Sequence, residues 1–240
     1  VKDFNKANHT KPKFNIKTND DGVTMTFRMA EAAVDNERLG QTAGQTDMLA
    51  ISISSTDAIG HEYSTRGPEN KSVYLRLDRD VATFLKHLDE EVGKGNYLLF
   101  LTADHGASHN YNFLKSHRIP ADGWDYDKSV SELNKYLRSQ FPSMTSDPVL
   151  GEDNYHFFFN DKAYSAEEKQ KVIDASVEYL KQDPQFLYVV DNEKISVSSI
   201  PEPIKSRLIN GIFRGRSGEI TVVTRPQIFG ATVSPDYKGT

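Results

Sequence analysis

Two almost continuously apolar runs, Met48-Leu-Ala-Ile-Ser-Ile-Ser54 and Tyr97-Leu-Leu-Phe-Leu-Thr102, flank a segment whose apolar residues recur every three or four positions. That pattern restricts the fold more than any other feature of the chain. Runs of this length and apolarity have the signature of strands buried on both faces. Between them Leu77, Val81, Phe84, Leu85, Leu88 and Val92 mark one face of a helix, with Pro68 and Ser72 near its start and Gly93 after its end. A strand, helix, strand unit predicts parallel neighbours in one sheet. Both following loops then emerge at the carboxyl edge, where open α/β sheets bind ligands.

Each run leads into a string of metal-ligating character, Asp57-Ala-Ile-Gly60-His61 after the first and Thr102-Ala-Asp104-His105-Gly106 after the second. Gly60 lets the first loop bend without a Cβ penalty, so that Asp57 and His61 can face one point. Asp104 and His105 are adjacent, and at a strand end their side chains diverge with the pleat. Two neighbouring ions, or one ion and a substrate oxygen, suit them better than a single cage. A histidine beside a glycine turn is ordinary when it occurs alone. Two such strings, each after a buried strand and one crossover apart, predict that Asp57, His61, Asp104 and His105 converge at the carboxyl edge of a mainly parallel sheet.

The chain of 240 residues is long enough to bury a substantial core. Its charged content of 26% and mean hydropathy of −0.59 leave no stretch near the ~18 apolar residues of a spanning helix. A net charge of −5 argues against nucleic acid as the main partner. With no cysteine, disulfides and thiolate metal sites are excluded, so a metal must take histidine and carboxylate ligands. The chain begins Val1-Lys2-Asp3 rather than with Met and stops at Lys238-Gly239-Thr240 after a strand-like segment. It is expected to be a piece of a longer protein, in which a targeting sequence would not be visible.

Residues 1–28 are polar, with Val23-Thr-Met-Thr-Phe-Arg28 as a possible edge strand. Residues 29–37 predict a helix ending near Gly40, followed by a Gly/Gln/Thr linker. A polar stretch covers residues 107–127, and residues 128–139 carry Val130, Leu133, Tyr136 and Leu137 on one helical face. From about Gly151 a second texture begins. Tyr155-His-Phe-Phe-Phe159 predicts a strand, Ser165-Ala-Glu-Glu168 a capping box opening a helix to about Lys181, and Phe186-Leu-Tyr-Val-Val190 another strand. A helix around residues 203–210 and the strand Glu219-Ile-Thr-Val-Val-Thr224 complete a βαβαβ pattern. The expected division is therefore residues 1–150 as part of a metal-binding α/β domain, 151–224 as a small α+β subdomain, and 225–240 as a segment returning to the first.

On the strings Ser-Thr-Asp57-Ala-Ile-Gly60-His61 and Thr102-Ala-Asp104-His105-Gly106, the chain resembles the alkaline phosphatase superfamily. It comes near the bacterial, Bacteroidetes-type secreted alkaline phosphatases that use two zinc ions and a threonine nucleophile. The resemblance extends through the helix bearing Asp78, the βαβαβ segment and the ending from Val-Val-Thr224-Arg-Pro226 to Gly239-Thr240. It implies an α/β fold with a mainly parallel sheet and helices on both faces. It also implies that Asp57 and His61 bind one Zn²⁺ while Asp104 and His105 bind the other, and that the reaction is hydrolysis of phosphate monoesters through a covalent phospho-enzyme in a periplasmic or secreted protein. The family's nucleophile and another Asp ligand come from an amino-terminal strand that has no counterpart here. A third His of the first zinc site follows a Gly-Thr-Thr-like string, and this chain stops at Gly239-Thr240. The resemblance therefore implies no catalytic nucleophile in this chain, weak or no zinc binding, and an inactive piece of an active parent. The two strings do not fix the substrate class. A phosphodiesterase or sulfatase, a cofactor-independent phosphoglycerate mutase-like enzyme with Mn²⁺, and a non-catalytic binding module with a vestigial metal site are the alternatives.

Other candidates carry weaker signals. His109 lies close enough to the second string to stand behind the ligands, although a helix or loop cap is the plainer role. His156 belongs to an aromatic run and is expected on the sheet surface or satisfied in the core. His9, His87 and His117 are isolated and predicted to be solvated. Arg214, Arg216 and Lys205 could form a phosphate patch, but Arg-Gly-Arg-Ser-Gly218 has the composition of a turn before a strand.

Overall fold

A computed structural model describes residues 15–231 and 233–239; His9 lies outside them. The chain divides into two compact units, Val1–Phe113 with Lys238–Thr240, and Leu114–Tyr237.

The first unit is built on three helices, α1 (Asp21–Glu37), α2 (Ser54–Tyr63) and α3 (Pro68–Leu88). The possible edge strand at residues 23–28 is instead the first part of α1. Its alternation of Val23, Met25 and Phe27 is compatible with a strand, but Val23, Phe27, Ala30 and Val34 together form a helical stripe, and these four are buried. Met25 and Met29 fall on the exposed face. Arg38 ends the helix in the left-handed region with φ 53°. Between α1 and α3, Ser72 donates to Asp20, Arg76 to Asp21 and Thr24 to Asp80, while His87 meets Asp35 at 2.8 Å. The partners advance together along both helices, so α1 and α3 run in the same direction. Phe27 and Phe84 meet between them at 5.5 Å. The helix expected between the apolar runs is α3, with Pro68 at its start after Gly67 and a π-helical turn, Asp89–Gly93, at its end.

The two apolar runs depart from expectation. Among the described residues neither has a ladder partner, and Leu98 and Phe100 are 91% and 78% exposed. An extended run becomes a sheet strand only when a neighbour supplies the complementary N–H and C=O groups. The predicted placement of both strings at a parallel sheet's carboxyl edge is therefore not formed within these residues.

The second unit closes on itself. Strands β2 (Val149–Asp153), β3 (His156–Phe159), β5 (Ile220–Thr224) and β4 (Phe186–Asp191) form an antiparallel sheet in the order β2-β3-β5-β4. Two short strands, β1 (Asp122–Trp124) and β6 (Ile228–Gly230), pair in parallel. Helices α5 (Tyr126–Gln140) and α6 (Lys169–Leu180) bury Leu133, Leu137, Val172 and Ile173 in one core with Trp124, Phe157, Ile220 and Val222. Tyr136 stacks on Tyr179 between those helices at 4.5 Å. The capping box forms, with Ser165 N–H donating to Glu168 and Glu168 N–H to Ser165 Oγ; regular α-helix begins just after it, at Lys169. A short helix, α4 (Tyr111–Ser116), precedes this unit's strands, and α7 (Ile204–Gly211) follows β4.

The expected boundary at residue 150 falls within β2. This unit starts at Leu114 because α5 shares the core of the four-stranded sheet, so the stretch 107–127 is not a plain polar connection. Most of the proposed return segment also belongs here, up to Tyr237.

Candidate metal centre

Asp57 and His61 lie one turn apart on α2, and residues four apart on a helix face the same side. His61 Nε2 is 3.3 Å from Asp57 Oδ1. The helix, rather than a glycine-permitted bend, makes them converge. Gly60 has no positive φ, and a Cβ there would meet Asn70 Nδ2 at an ordinary 3.6 Å.

The second string is irregular and exposed, and it brings His105 against the first. His105 Nε2 is 3.6 Å from Asp57 Oδ1 and 3.7 Å from Asp104 Oδ2. Its ring lies 6.2 Å from that of His61, tilted by 59°. One ligand atom each from Asp57, His61 and His105 falls within 4.8 Å of the others. Asp104 reaches this group through His105 alone and is the most exposed of the four side chains. His105 Nδ1 lies 2.8 Å from the carbonyl of Gly106, which can only accept. That bond keeps a proton on Nδ1, so Nε2 is the nitrogen that can bind a metal once it is deprotonated. The Gly106 carbonyl first, then Asp104 and Asp57, raise the pKa of the imidazolium above the usual histidine range. The surroundings favour positive charge.

The donor set fits zinc. Bonds of ~2.0–2.2 Å to a tetrahedral ion place neighbouring ligand atoms roughly 3.3–3.6 Å apart, and the contacts of Asp57 Oδ1 with the two imidazoles are 3.3 and 3.6 Å. With two imidazoles and one carboxylate converging, a second carboxylate beside His105, and no thiolate in the chain, the chemistry is that of a borderline-hard divalent ion.

His109 is not a cap. Its Nδ1 meets Thr65 Oγ1 at 2.6 Å, just beyond α2, and its ring packs on Phe113 at 5.3 Å. The capping residue is Asn110, whose Oδ1 accepts from the N–H groups of Asn112 and Phe113. Nothing in the sequence marks Asn110 or its buried partner Ser64. Neither belongs to a recognisable ligand pattern, and the only signal is a polar residue a few positions after each string. Of the remaining described histidines, His156 and His87 are tied into the structure, while His117 is exposed as expected. His156 is half-buried beside Thr221, and burial lowers its pKa. His87 pairs with Asp35 rather than lying free in solvent. His117 contacts Ser116 at 3.1 Å. The Arg-Gly-Arg segment is a turn with Gly215 at φ 79°. Arg216 lies over the Phe213 ring, Arg214 faces Glu193, and Lys205 donates to the Ser198 carbonyl.

Residues 2–234 match the family described as type I phosphodiesterase / nucleotide pyrophosphatase. The chain is 41% identical over 212 residues to alkaline phosphatase PafA of Elizabethkingia meningoseptica, covering 88% of this chain and 38% of that protein. It is 41% identical over 228 residues to a protein of Myroides odoratus named calcium-transporting ATPase, covering 94% and 41%. The crystal structure of wild type alkaline phosphatase PafA superposes with a TM-score of 0.84 at 39% identity, covering 94% of this chain and 42% of that one. The chain thus spans about two fifths of the length of these relatives. A family match over nearly its whole length and a shared α/β fold place this chain in the type I phosphodiesterase / nucleotide pyrophosphatase family, within the alkaline phosphatase superfamily.

Proposed function

We propose that this chain carries the metal-binding part of a zinc-dependent phosphate monoesterase, with Asp57 and His61 holding one ion and Asp104 and His105 the other. The convergence of Asp57, His61 and His105 within 4.8 Å supports a metal centre at this place; its division between two ions follows the family resemblance. Bound zinc supplies Lewis acidity toward phosphoryl and leaving-group oxygens and a lowered pKa for a bound hydroxyl. The protein's own part is orientation. Helix α2 sets the Asp57 and His61 spacing, Asp57 offers one oxygen toward both imidazoles, and the Gly106 carbonyl fixes the tautomer that keeps His105 Nε2 available.

The reading assigns no nucleophile to these residues. Thr56 donates to the Ile53 carbonyl, Thr65 contacts His109, and Ser64 Oγ accepts from Asn110 N–H. On this two-ion division each ion takes only two ligands from this chain and leaves two or more positions open, whereas a catalytic zinc holds about three protein ligands. The chain by itself is therefore proposed to bind zinc weakly and to be inactive, its parent being the phosphatase. Export to the periplasm or beyond belongs to the same reading. Among the described residues no helix is long and apolar enough to cross a membrane.

The test is calorimetric zinc titration together with hydrolysis of an aryl phosphate at alkaline pH. In the full-length protein Asp57→Ala and His61→Ala should each weaken zinc binding at least tenfold and abolish turnover, and unchanged affinity in both overturns the metal assignment. The 240-residue chain should show no turnover above a zinc-only blank. Turnover that vanishes in Asp104→Ala would overturn the claim that it is inactive. A diesterase reading is favoured by the description of the matched family; a bis-aryl phosphate hydrolysed faster than the monoester would establish it.

A further inference from the structure

Just beyond the ligands, the two motif segments are fastened together by buried hydrogen bonds. Ser64 follows His61 by three positions and Asn110 follows His105 by five. The N–H of Asn110 donates to Ser64 Oγ at 3.1 Å, and both residues are buried although both are polar. Thr65 and His109 form a second link beside it at 2.6 Å, and the Arg66 guanidinium lies over the Phe113 ring at 5.3 Å. Asn110 Nδ2 also donates to the Gly239 carbonyl at 2.7 Å, which brings a third segment to the same junction.

The backbone of Ser64 identifies the centre of this junction. Its φ of 64° and ψ of 175° lie in a region that essentially only glycine occupies without strain. A serine stays there only if the surroundings hold it. Here its N–H donates to the Gly60 carbonyl at 2.8 Å, closing α2, while its hydroxyl receives Asn110. A glycine would relieve the backbone strain but could not accept from Asn110. The presence of serine at this position therefore points to the hydroxyl.

We propose that Ser64 is a positioning residue for the metal centre, its hydroxyl fixing the segment that follows His105 against the end of the helix that bears Asp57 and His61. The inference rests on the metal reading above. The ligands themselves are exposed, and the approach of the second string to α2 depends on where the segment that follows it is anchored. Supporting groups that orient metal ligands typically matter at about the 10–100-fold level in affinity.

Ser64→Gly tests this because it separates anchoring from stability. In the full-length protein it should weaken zinc binding about tenfold while leaving the metal-free melting temperature equal to or above that of Ser64→Ala, which loses the hydroxyl but keeps the strained backbone. The visible spectrum of the Co²⁺-loaded protein should shift toward higher coordination in both variants as solvent replaces a displaced ligand. Unchanged zinc affinity and cobalt spectrum in both variants overturn the proposal. So does a fall in melting temperature that is the same with and without zinc, since that marks a purely structural role. Asp57→Ala, titrated in parallel, separates the two readings. If it binds zinc like the parent, the metal reading fails; if it loses zinc while Ser64→Gly retains it, only the positioning role fails.

Discussion

Phe157 and Phe100 occupy similar sequence runs and have opposite fates. Tyr155-His-Phe-Phe-Phe159 and Tyr97-Leu-Leu-Phe-Leu-Thr102 both have the apolarity of strands, yet Phe157 is fully buried in β3 while Phe100 is 78% exposed on a run without a ladder. What differs is the supply of neighbours. β3 has β2 just before it in the chain and β5 on its other side, so its backbone groups pair on both edges and its aromatic face meets Trp124. The run at 97–102 has no strand beside it among the described residues. An apolar run encodes a demand for burial, and the second unit meets that demand from within. In the first unit it is unmet at two places, at about 1.5–3 kcal/mol for each large side chain left in water.

The largest expected effect tests this contrast directly. Phe157→Ala should destabilise the second unit by about 3–5 kcal/mol, the usual cost of emptying a buried aromatic site, read from urea unfolding by far-UV circular dichroism. Phe100→Ala in the 240-residue chain should stay within about 0.5 kcal/mol of the parent. Equal destabilisation by the two would mean that the 97–102 run is buried in solution and would break the comparison.

A smaller effect shows how the second unit secures its sheet edge. β2 lies at the end of the sheet, and buried Asn134 of α5 braces it from the side. Asn134 Nδ2 donates to the Val149 carbonyl and Oδ1 accepts the Val149 N–H, both at 2.9 Å. Asn134→Leu leaves two buried backbone groups without partners and should cost about 1–3 kcal/mol. Amide exchange at Val149 should accelerate. Protection equal to the parent's would show that β2 is held by its ladder alone.

The same contrast explains what could be read in the sequence. Helices α3 and α5 and strands β3 to β5 were legible because the segments that carry their period also bury it. Helix α1 is only half legible, since Val23, Met25 and Phe27 satisfy a strand alternation until Ala30 and Val34 extend the helical stripe. Helix α2 was hidden by its polarity. Ser-Ser-Thr-Asp-Ala-Ile-Gly-His-Glu-Tyr has too few apolar residues to show a period, and its only helical signal is the four-residue spacing of the ligands. Trp124 stood alone in a polar stretch, and nothing local marked it as the centre of a core. Asp57, His61, Asp104 and His105 were visible because ligand chemistry restricts residue type. Ser64 and Asn110 were not, because their burial and pairing arise from the approach of two distant segments.

The smallest expected effect concerns how the two regions treat their histidines. Exposed His105 is pushed toward the charged form by the Gly106 carbonyl and two carboxylates, whereas half-buried His156 is pushed toward the neutral form, mainly by desolvation and against the pull of Asp153. The local bonds fix which ring nitrogen carries a proton and do not distinguish the neutral ring from the cation. Thr221 has one hydroxyl proton and gives it to Asn192 Oδ1 at 2.7 Å, so the 3.0 Å contact with His156 Nδ1 requires the imidazole to donate from that nitrogen. Asn192 is held in this orientation because its Nδ2 donates to the Gly218 carbonyl. Since the folded pKa lies below the unfolded value of about 6.5, the unfolded chain binds the proton more tightly. The stabilising contribution of neutral His156 is then complete above that value and declines as pH falls through it toward the folded pKa. His156→Gln cannot titrate, so between pH 7.5 and pH 5 its urea midpoint should fall less steeply than the parent's. Parallel slopes would mean that His156 is as well solvated in the folded unit as in the unfolded chain, contrary to the closed sheet described for this region.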